Sequence, residues 1–174
     1  MTPSFLRRDP LANPEVLIQR VYAYVAYRIG AGPDAEDVTS DVFERALRYR
    51  DRYDPSRGEP LAWLIGIARR RVGGALVASR PLSSEPPDAT ASGSLEEATV
   101  RRLTLAQALA TLAQRDRELI ALRYGADLTA AQIACIVGAR TNAVEVGLHR
   151  ALGRLRAELG DEEDAMVTRK AVRS

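Results

Sequence analysis

The chain of 174 residues has one cysteine, Cys135, and one histidine, His149. A lone cysteine excludes an internal disulfide and any multi-cysteine metal site. A lone histidine leaves no partner for a histidine metal centre or a nucleophile–base triad. No glycine-rich phosphate loop is present either, so no catalytic constellation can be assembled and neither an enzyme activity, a metal nor a cofactor is expected. Aromatic residues are scarce, at 5%, and no alternating valine- or threonine-rich run argues for a sheet. No apolar run approaches the length of a membrane helix, and the N-terminus shows no continuous apolar leader segment. The protein is therefore expected to stay in the cytoplasm without inserting into a membrane. Lysine is almost missing as well: Lys170 is the only one, and arginine carries the rest of the positive charge.

What is present reads as an all-α chain. Apolar residues make up 46% and charged residues 28%, a globular composition with small aliphatic cores. The net charge of +2 is unevenly placed. Residues 1–80 carry thirteen basic and ten acidic groups, 81–99 no base and four acids, 100–160 nine and five, and 161–174 three and four. Two mildly basic blocks thus flank an acidic strip. A small excess of this kind predicts weak affinity for DNA alone, because the phosphate-driven term grows with the number of contacts. The expected organisation is two small helical domains, 1–80 and 99–160, joined by a flexible acidic linker over 81–98 and followed by a disordered tail over 161–174.

Within the first block, residues 1–12 read as a frayed arm. Asn13 is expected to cap a helix with Pro14 at its first position, whose buried stripe is Leu17, Val21, Val25 and Ile29. Tyr22, Tyr24 and Tyr27 are expected as partly buried aromatics. Pro33 then opens a second helix with Asp34, Glu36 and Asp37 beside the positive end of its dipole. Val38, Val42, Phe43, Ala46 and Leu47 form its stripe, leaving Asp41, Glu44, Arg45 and Arg48 outside. The segment from Tyr49 to Glu59, YRDRYDPSRGE, carries turn-forming steps. A third helix starts at Pro60 and buries Leu61, Leu64, Ile65, Ala68 and Val72. Its Trp63 serves equally as a core contact or as a stacking platform for an unpaired base, and Arg69, Arg70 and Arg71 crowd the following turn. Gly73 and Gly74 are expected to fray or bend the end of that helix.

The second block begins with a stripe of Leu103, Leu105, Ala108, Leu109 and Leu112. A helix capped near Asp116 follows, with Leu119, Ile120 and Leu122. Thr129 and Gln132 have capping-box spacing ahead of Ile133, Ala134, Ile136 and Val137, and Gly138 opens a tight turn into a long helix from Thr141. Cys135 falls on that apolar pattern and is expected in the core. The long helix buries Val144, Leu148, Leu152, Leu155 and Leu159, and a wheel count puts Asn142, Ala143, Val146, His149 and Arg150 on the other side. This is helix-turn-helix text, which serves either to enter a major groove or to pack.

DAEDVTSDVFERAL followed by RYDPSRGEPLAWLIGIARRRV resembles the second conserved region of bacterial RNA polymerase sigma factors of the extracytoplasmic-function (ECF) type, in the sigma-70 family. LRYGADLTAAQIACIVGARTNAVEVGLHRALGRLR resembles the fourth region of the same family. The resemblance implies a sigma factor that directs core RNA polymerase to promoters for transcription initiation, answering a stress or envelope signal. It places Asp34, Glu36, Asp37 and Asp41 on a helix that docks on the beta-prime coiled coil. The implied partners are the beta-prime and beta subunits of core polymerase, promoter DNA and an anti-sigma factor. Arg50, Arg52, Tyr53 and Arg57 fall in a loop that in the family captures a base flipped from the minus-ten element. With Trp63, Arg69, Arg70 and Arg71 they are the implied minus-ten contacts. Arg140, Asn142, Ala143, Val146, His149 and Arg150 are the implied minus-thirty-five contacts.

The chain also departs from the family pattern. Ser40 stands where glutamine is usual, Val72 to Ala75 replace a run of bases, and Glu145, Val146 and Gly147 replace positions commonly held by lysine, serine and arginine. Two rivals stay open: a stand-alone helix-turn-helix regulator acting on a duplex operator, against which the modest charge argues, and an adaptor that binds polymerase or another regulator without reading DNA, which the altered segment from Glu145 to Gly147 makes possible.

Overall fold

Among the residues described in this computed structural model, the backbone of 9–78 and 95–172 and the side chains of 9–75 and 103–160, there are seven α-helices and no β-strand. Helices α1 (Pro14–Ile29), α2 (Pro33–Arg48) and α3 (Pro60–Ala78) form the first unit. Helices α4 (Leu95–Thr111), α5 (Gln114–Ile120), α6 (Ala130–Val137) and α7 (Thr141–Val172) form the second. Prolines open the first three helices, where their missing N–H costs nothing. Gly30 (φ 91) and Gly32 (φ 122) adopt the left-handed conformations that turn the chain from α1 into α2.

The apolar stripes read from the sequence supply the interior. Val21, Val25, Val42, Leu64, Ile65, Ala68 and Val72 are fully buried in the first unit, as are Leu122, Leu128 and Ile133 in the second. Each large aliphatic side chain so buried stabilises the fold by roughly 1.5–3 kcal/mol. The two units do not keep separate interiors. One continuous buried cluster runs from Val21, Val25 and Leu64 into Leu119, Leu122, Ile133, Val144 and Leu148, and a smaller one joins α4, α5 and α7 through Leu109, Ile120, Ala151 and Leu155.

The junction is made chiefly by α1 and a wide turn, Ala121–Gly125, in which the Ala126 N–H reaches back to the Ala121 carbonyl at 2.9 Å. This π-type turn brings Gly125 onto the backbone of α1. A β-carbon at Gly125 would lie 2.9 Å from both the Cα and the N of Tyr24, so only glycine permits the approach.

Several expectations are corrected. Asn13 is the residue before α1, but its side chain makes no capping bond. Leu47 is 56% exposed, because α2 ends one residue later and nothing covers that turn. Gly73 and Gly74 neither end nor break α3, which continues to Ala78. Helix α4 starts at Leu95, well before the stripe that revealed it. Asp116 lies inside α5, behind an N-cap at Ala113, and its carboxylate pairs with Arg154.

Cys135 is exposed, because the short α6 turns only Ile133 and Ala134 fully inward and position 135 lies about 100° further round. The stretch from 161, expected as a disordered tail, continues α7 as helix to Val172. It contains no proline, and Glu, Ala, Met, Arg and Lys are good helix formers, so Gly160 alone does not stop the helix. The linker expected over 81–98 and the arm expected over 1–12 lie outside the described residues at positions 81–94 and 1–8.

Candidate nucleic-acid and polymerase interface

The acidic face of α2 is set by which of its residues turn inward. Ala35, Thr39, Val42 and Ala46 are buried, and the Thr39 hydroxyl donates to the Ala35 carbonyl at 2.7 Å, sparing an orphan polar group. Asp34, Glu36, Asp37, Ser40 and Glu44 are therefore left in solvent, continuous with exposed Leu47. Asp41 differs from the other three candidates. It is half-buried, bonds Arg45 at 3.1 Å one turn along, and forms an ion pair with Arg71 of α3. Its charge is spent inside the molecule, tying α2 to α3.

The loop from Tyr49 to Glu59 is built around Tyr53. That ring is buried, its hydroxyl donates to the Gly58 carbonyl at 2.9 Å, and its centroid lies 5.5 Å from that of Trp63 at an angle of 50°. Burial, with Glu59 and Asp54 adding repulsion, pushes the Tyr53 hydroxyl above its usual pKa. The Asp54 carboxylate caps the short turn Pro55–Arg57 by accepting from the Ser56 N–H at 3.0 Å and from the Ser56 hydroxyl at 2.7 Å. The Arg52 guanidinium stacks over the Tyr49 ring at 4.9 Å. Arg50, Arg52 and Arg57 are exposed around this frame, whereas Tyr53 is its peg and not a free contact.

Trp63, half-buried, faces a cleft of about 790 Å³ together with Arg52, Arg57, Arg69 and Arg70. The opposite wall comes from the second unit: Glu118, Cys135 and Ile136. The three adjacent arginines of α3 have separate fates. Arg69 donates to the Glu118 carboxylate at 2.6 Å and to the Ile136 carbonyl at 2.7 Å, Arg71 pairs with Asp41, and Arg70 is exposed.

In the second unit the capping box is complete. The Thr129 hydroxyl accepts from the Gln132 N–H at 3.3 Å, and the Gln132 side chain accepts from the Thr129 N–H at 2.9 Å. Gly138 is left-handed (φ 68) and turns the chain from α6 into α7. Arg140, Asn142, Ala143, Glu145, Val146, His149 and Arg150 are all exposed on the first turns of α7. Val144, Leu148 and Ala151 are buried beneath them.

Gly147, counted with the lost basic positions, faces inward. A β-carbon there would meet Leu119 Cδ1 at 2.7 Å, so this glycine lets α7 lie close on α5. The change relative to the family pattern on the exposed face is thus confined to Glu145 and Val146.

Sequence reasoning missed the polar contacts between the units. Arg20 donates to the Ala126 and Asp127 carbonyls at 2.8 and 2.7 Å, and Arg28, itself buried, donates to the Gln114 carbonyl at 2.9 Å. No local signal marks such pairs. Arg117, also buried, caps the end of α4 through the Ala110 and Leu112 carbonyls, and burial lowers its pKa.

Two family models match in order: sigma-70 region 2 over residues 15–76, and sigma-70 region 4 over residues 102–155. The ECF RNA polymerase sigma factor SigD of Mycobacterium tuberculosis is 32% identical over 155 residues, spanning 80% of this chain and 71% of SigD. The chain belongs to the ECF sigma factors. A second relative, the ECF sigma factor BldN of Streptomyces coelicolor, is 31% identical over 150 residues, which are 82% of this chain but only 57% of BldN. The fold agrees as well. The sigma factor RpoE of Bartonella quintana, solved in complex with the anti-sigma factor NepR, superposes with a TM-score of 0.65 over 84% of this chain and 93% of RpoE at 22% identity. Membership places this ECF protein among non-catalytic transcription-initiation factors.

Proposed function

We propose that this ECF sigma factor binds core RNA polymerase and directs it to promoters, reading the minus-ten element with its first unit and the minus-thirty-five element with its second. The observation that carries the reading is the ordered match of both sigma regions, each with its candidate contact face in solvent. The exposed acids Asp34, Glu36 and Asp37 dock on the beta-prime coiled coil, and Asp41 supports them by holding α2 to α3 through Arg71. The second unit faces the beta subunit.

Trp63 with Arg50, Arg52, Arg57 and Arg70 meets the displaced strand, while Tyr53 holds the loop in shape and Arg69 joins once Glu118 releases it. On α7, Arg140 and Arg150 meet phosphates, Asn142 pairs with a base edge, Val146 touches a thymine methyl, and Ala143 and His149 line the same groove face. An anti-sigma factor restrains the protein, as NepR is found with the Bartonella RpoE. No described helix is long and apolar enough to cross a membrane, and the site of action is the cytoplasm.

A test is competition between this chain and a housekeeping sigma factor for core polymerase. Asp37 is exposed, so Asp37→Arg is expected to shift stability by no more than about 1 kcal/mol while weakening polymerase binding at least tenfold. Equal losses in helicity and binding would remove α2 from the interface.

A further inference from the structure

We propose that Glu145 is a base-reading residue: on the minus-thirty-five duplex its carboxylate accepts a hydrogen bond from the amino group of a cytosine and fixes that base pair in the element this chain selects. The proposal rests on the reading of α7 as the helix that enters the major groove, and it goes further by assigning one position its base.

Nothing in the fold uses this carboxylate. Glu145 is exposed, and among the described residues no ion pair or hydrogen bond engages its side chain. It stands fifth in α7, past the first turn, where the pull of the helix dipole on an acid has faded.

Its direction is set by what lies opposite. At about 100° per residue, Asn142, Glu145, Val146 and His149 fall within about 100° of arc, and the buried Val144, Leu148 and Ala151 fall on the far side. Gly147 seats the helix on Leu119 with no room for a methyl group, which fixes where that arc points. From Asn142 to His149 the axis advances about 10 Å, or about three base-pair steps of roughly 3.4 Å. Arg140 and Arg150, both exposed, flank the arc at its two ends. From Thr141 to Arg150 the axis rises about 14 Å, comparable with the roughly 12 Å width of a major groove. The two guanidiniums can therefore hold phosphates while the side chains between them face base edges.

A carboxylate at that place selects by elimination, because it only accepts hydrogen bonds. In the major groove guanine shows two acceptors, N7 and O6, and thymine shows O4 beside a methyl group, so both repel it. Adenine offers its N6 amino group next to the N7 acceptor. Cytosine offers its N4 amino group with no acceptor on its own edge, and it is the best match. Without such a donor the charge would be desolvated unpaired in a groove walled by phosphates, so the discrimination is strong.

The test is selection from a promoter library randomised across the minus-thirty-five element, by core polymerase loaded with the full chain and, in parallel, by the full chain alone at low salt. The wild type is expected to enrich cytosine at one position. Glu145→Gln has the same shape but both donates and accepts, so the preferred base there is expected to move to adenine, with cytosine losing at least about fivefold in relative affinity. Glu145→Arg is expected to move it to guanine. The other positions should keep their bases in all three proteins, and helicity should be unchanged because the side chain is exposed.

Glu145→Gln strengthening every sequence alike, with no change of base at any position, would overturn the proposal and make Glu145 a charge that only weakens DNA binding. Wild-type enrichment of any base other than cytosine at the position that responds to Glu145 would overturn it too, as would the absence of a selected sequence in both arms. Failure of the polymerase arm alone would count against the sigma reading, and the duplex arm would still decide which base Glu145 reads.

Discussion

Trp63 offers the sharpest separation of a structural from a functional role, because it stands at the edge of both. It is half-buried, it packs at 5.5 Å on Tyr53, and its exposed part faces the arginine-lined cleft. Truncation to alanine removes a base-stacking platform worth about 1–3 kcal/mol, between roughly fivefold and 150-fold in DNA affinity. The same truncation costs stability through the lost ring pair, about 0.5–1.5 kcal/mol, and through the loss of half-buried apolar surface. Alanine alone therefore confounds the two roles.

Trp63→Leu separates them. Leucine retains the apolar contact with Tyr53 and the α3 backbone but offers no π face. Thermal melting should show most of the stability retained, while binding of holoenzyme to a fork-junction promoter probe should fall at least fivefold. Because Trp63 is the only tryptophan, its emission in the free chain also reports stacking directly, as quenching when single-stranded DNA binds. Unchanged DNA binding in Trp63→Leu together with a clear fall in melting temperature would assign the ring to the core and refute the stacking argument.

Three further outcomes follow from the geometry. Thr129→Ala removes the acceptor of the capping box and should cost about 1 kcal/mol, read by denaturant unfolding, with Thr129→Ser nearly silent. Asn142→Ala should weaken binding to minus-thirty-five duplex by about 1–3 kcal/mol and relax preference at one base pair, whereas Arg140→Ala should weaken all sequences alike and lower the salt dependence. The Tyr24 hydroxyl is pushed up to about 12 from 10.0, by burial first, with Arg28 pulling the other way. The folded value lies above the unfolded one, so this contribution is intact below pH 10 and is lost as pH rises toward 12. Tyr24→Phe should flatten that alkaline loss in a pH series of unfolding midpoints, leaving a smaller slope from Tyr27 and Tyr53, whose pKa values are also raised.

How much of this was legible in the sequence depends on how local the physics is. The stripes of α1, α2, α3 and α7 are periodic over several turns, and the Thr129–Gln132 box and Gly138 turn are decided within ten residues. Each appears in the structure as read, except that Leu47 of the α2 stripe is left exposed at the end of its helix. The acidic face of α2 was legible for the same reason, though not the capture of Asp41 by Arg71, thirty residues away in the chain. The contacts between the units could not be read. Arg20 and Asp127 are 107 positions apart, and nothing near either residue marks the other. The tight approaches at Gly125, against the Tyr24 backbone, and at Gly147, against the Leu119 side chain, carry no local signal either. The burial of Arg28 and Arg117 was equally invisible, because their carbonyl partners carry no sequence signature.

The central claim is that this chain selects promoters for polymerase, and the most direct test is transcription of total genomic DNA by core polymerase with and without the purified protein, followed by mapping of transcript 5′ ends. The account predicts discrete new start sites sharing two upstream elements at one fixed spacing, absent with core alone and abolished by Asp37→Arg. A pattern of 5′ ends indistinguishable from that of core alone, from a folded protein at saturating concentration, would contradict it.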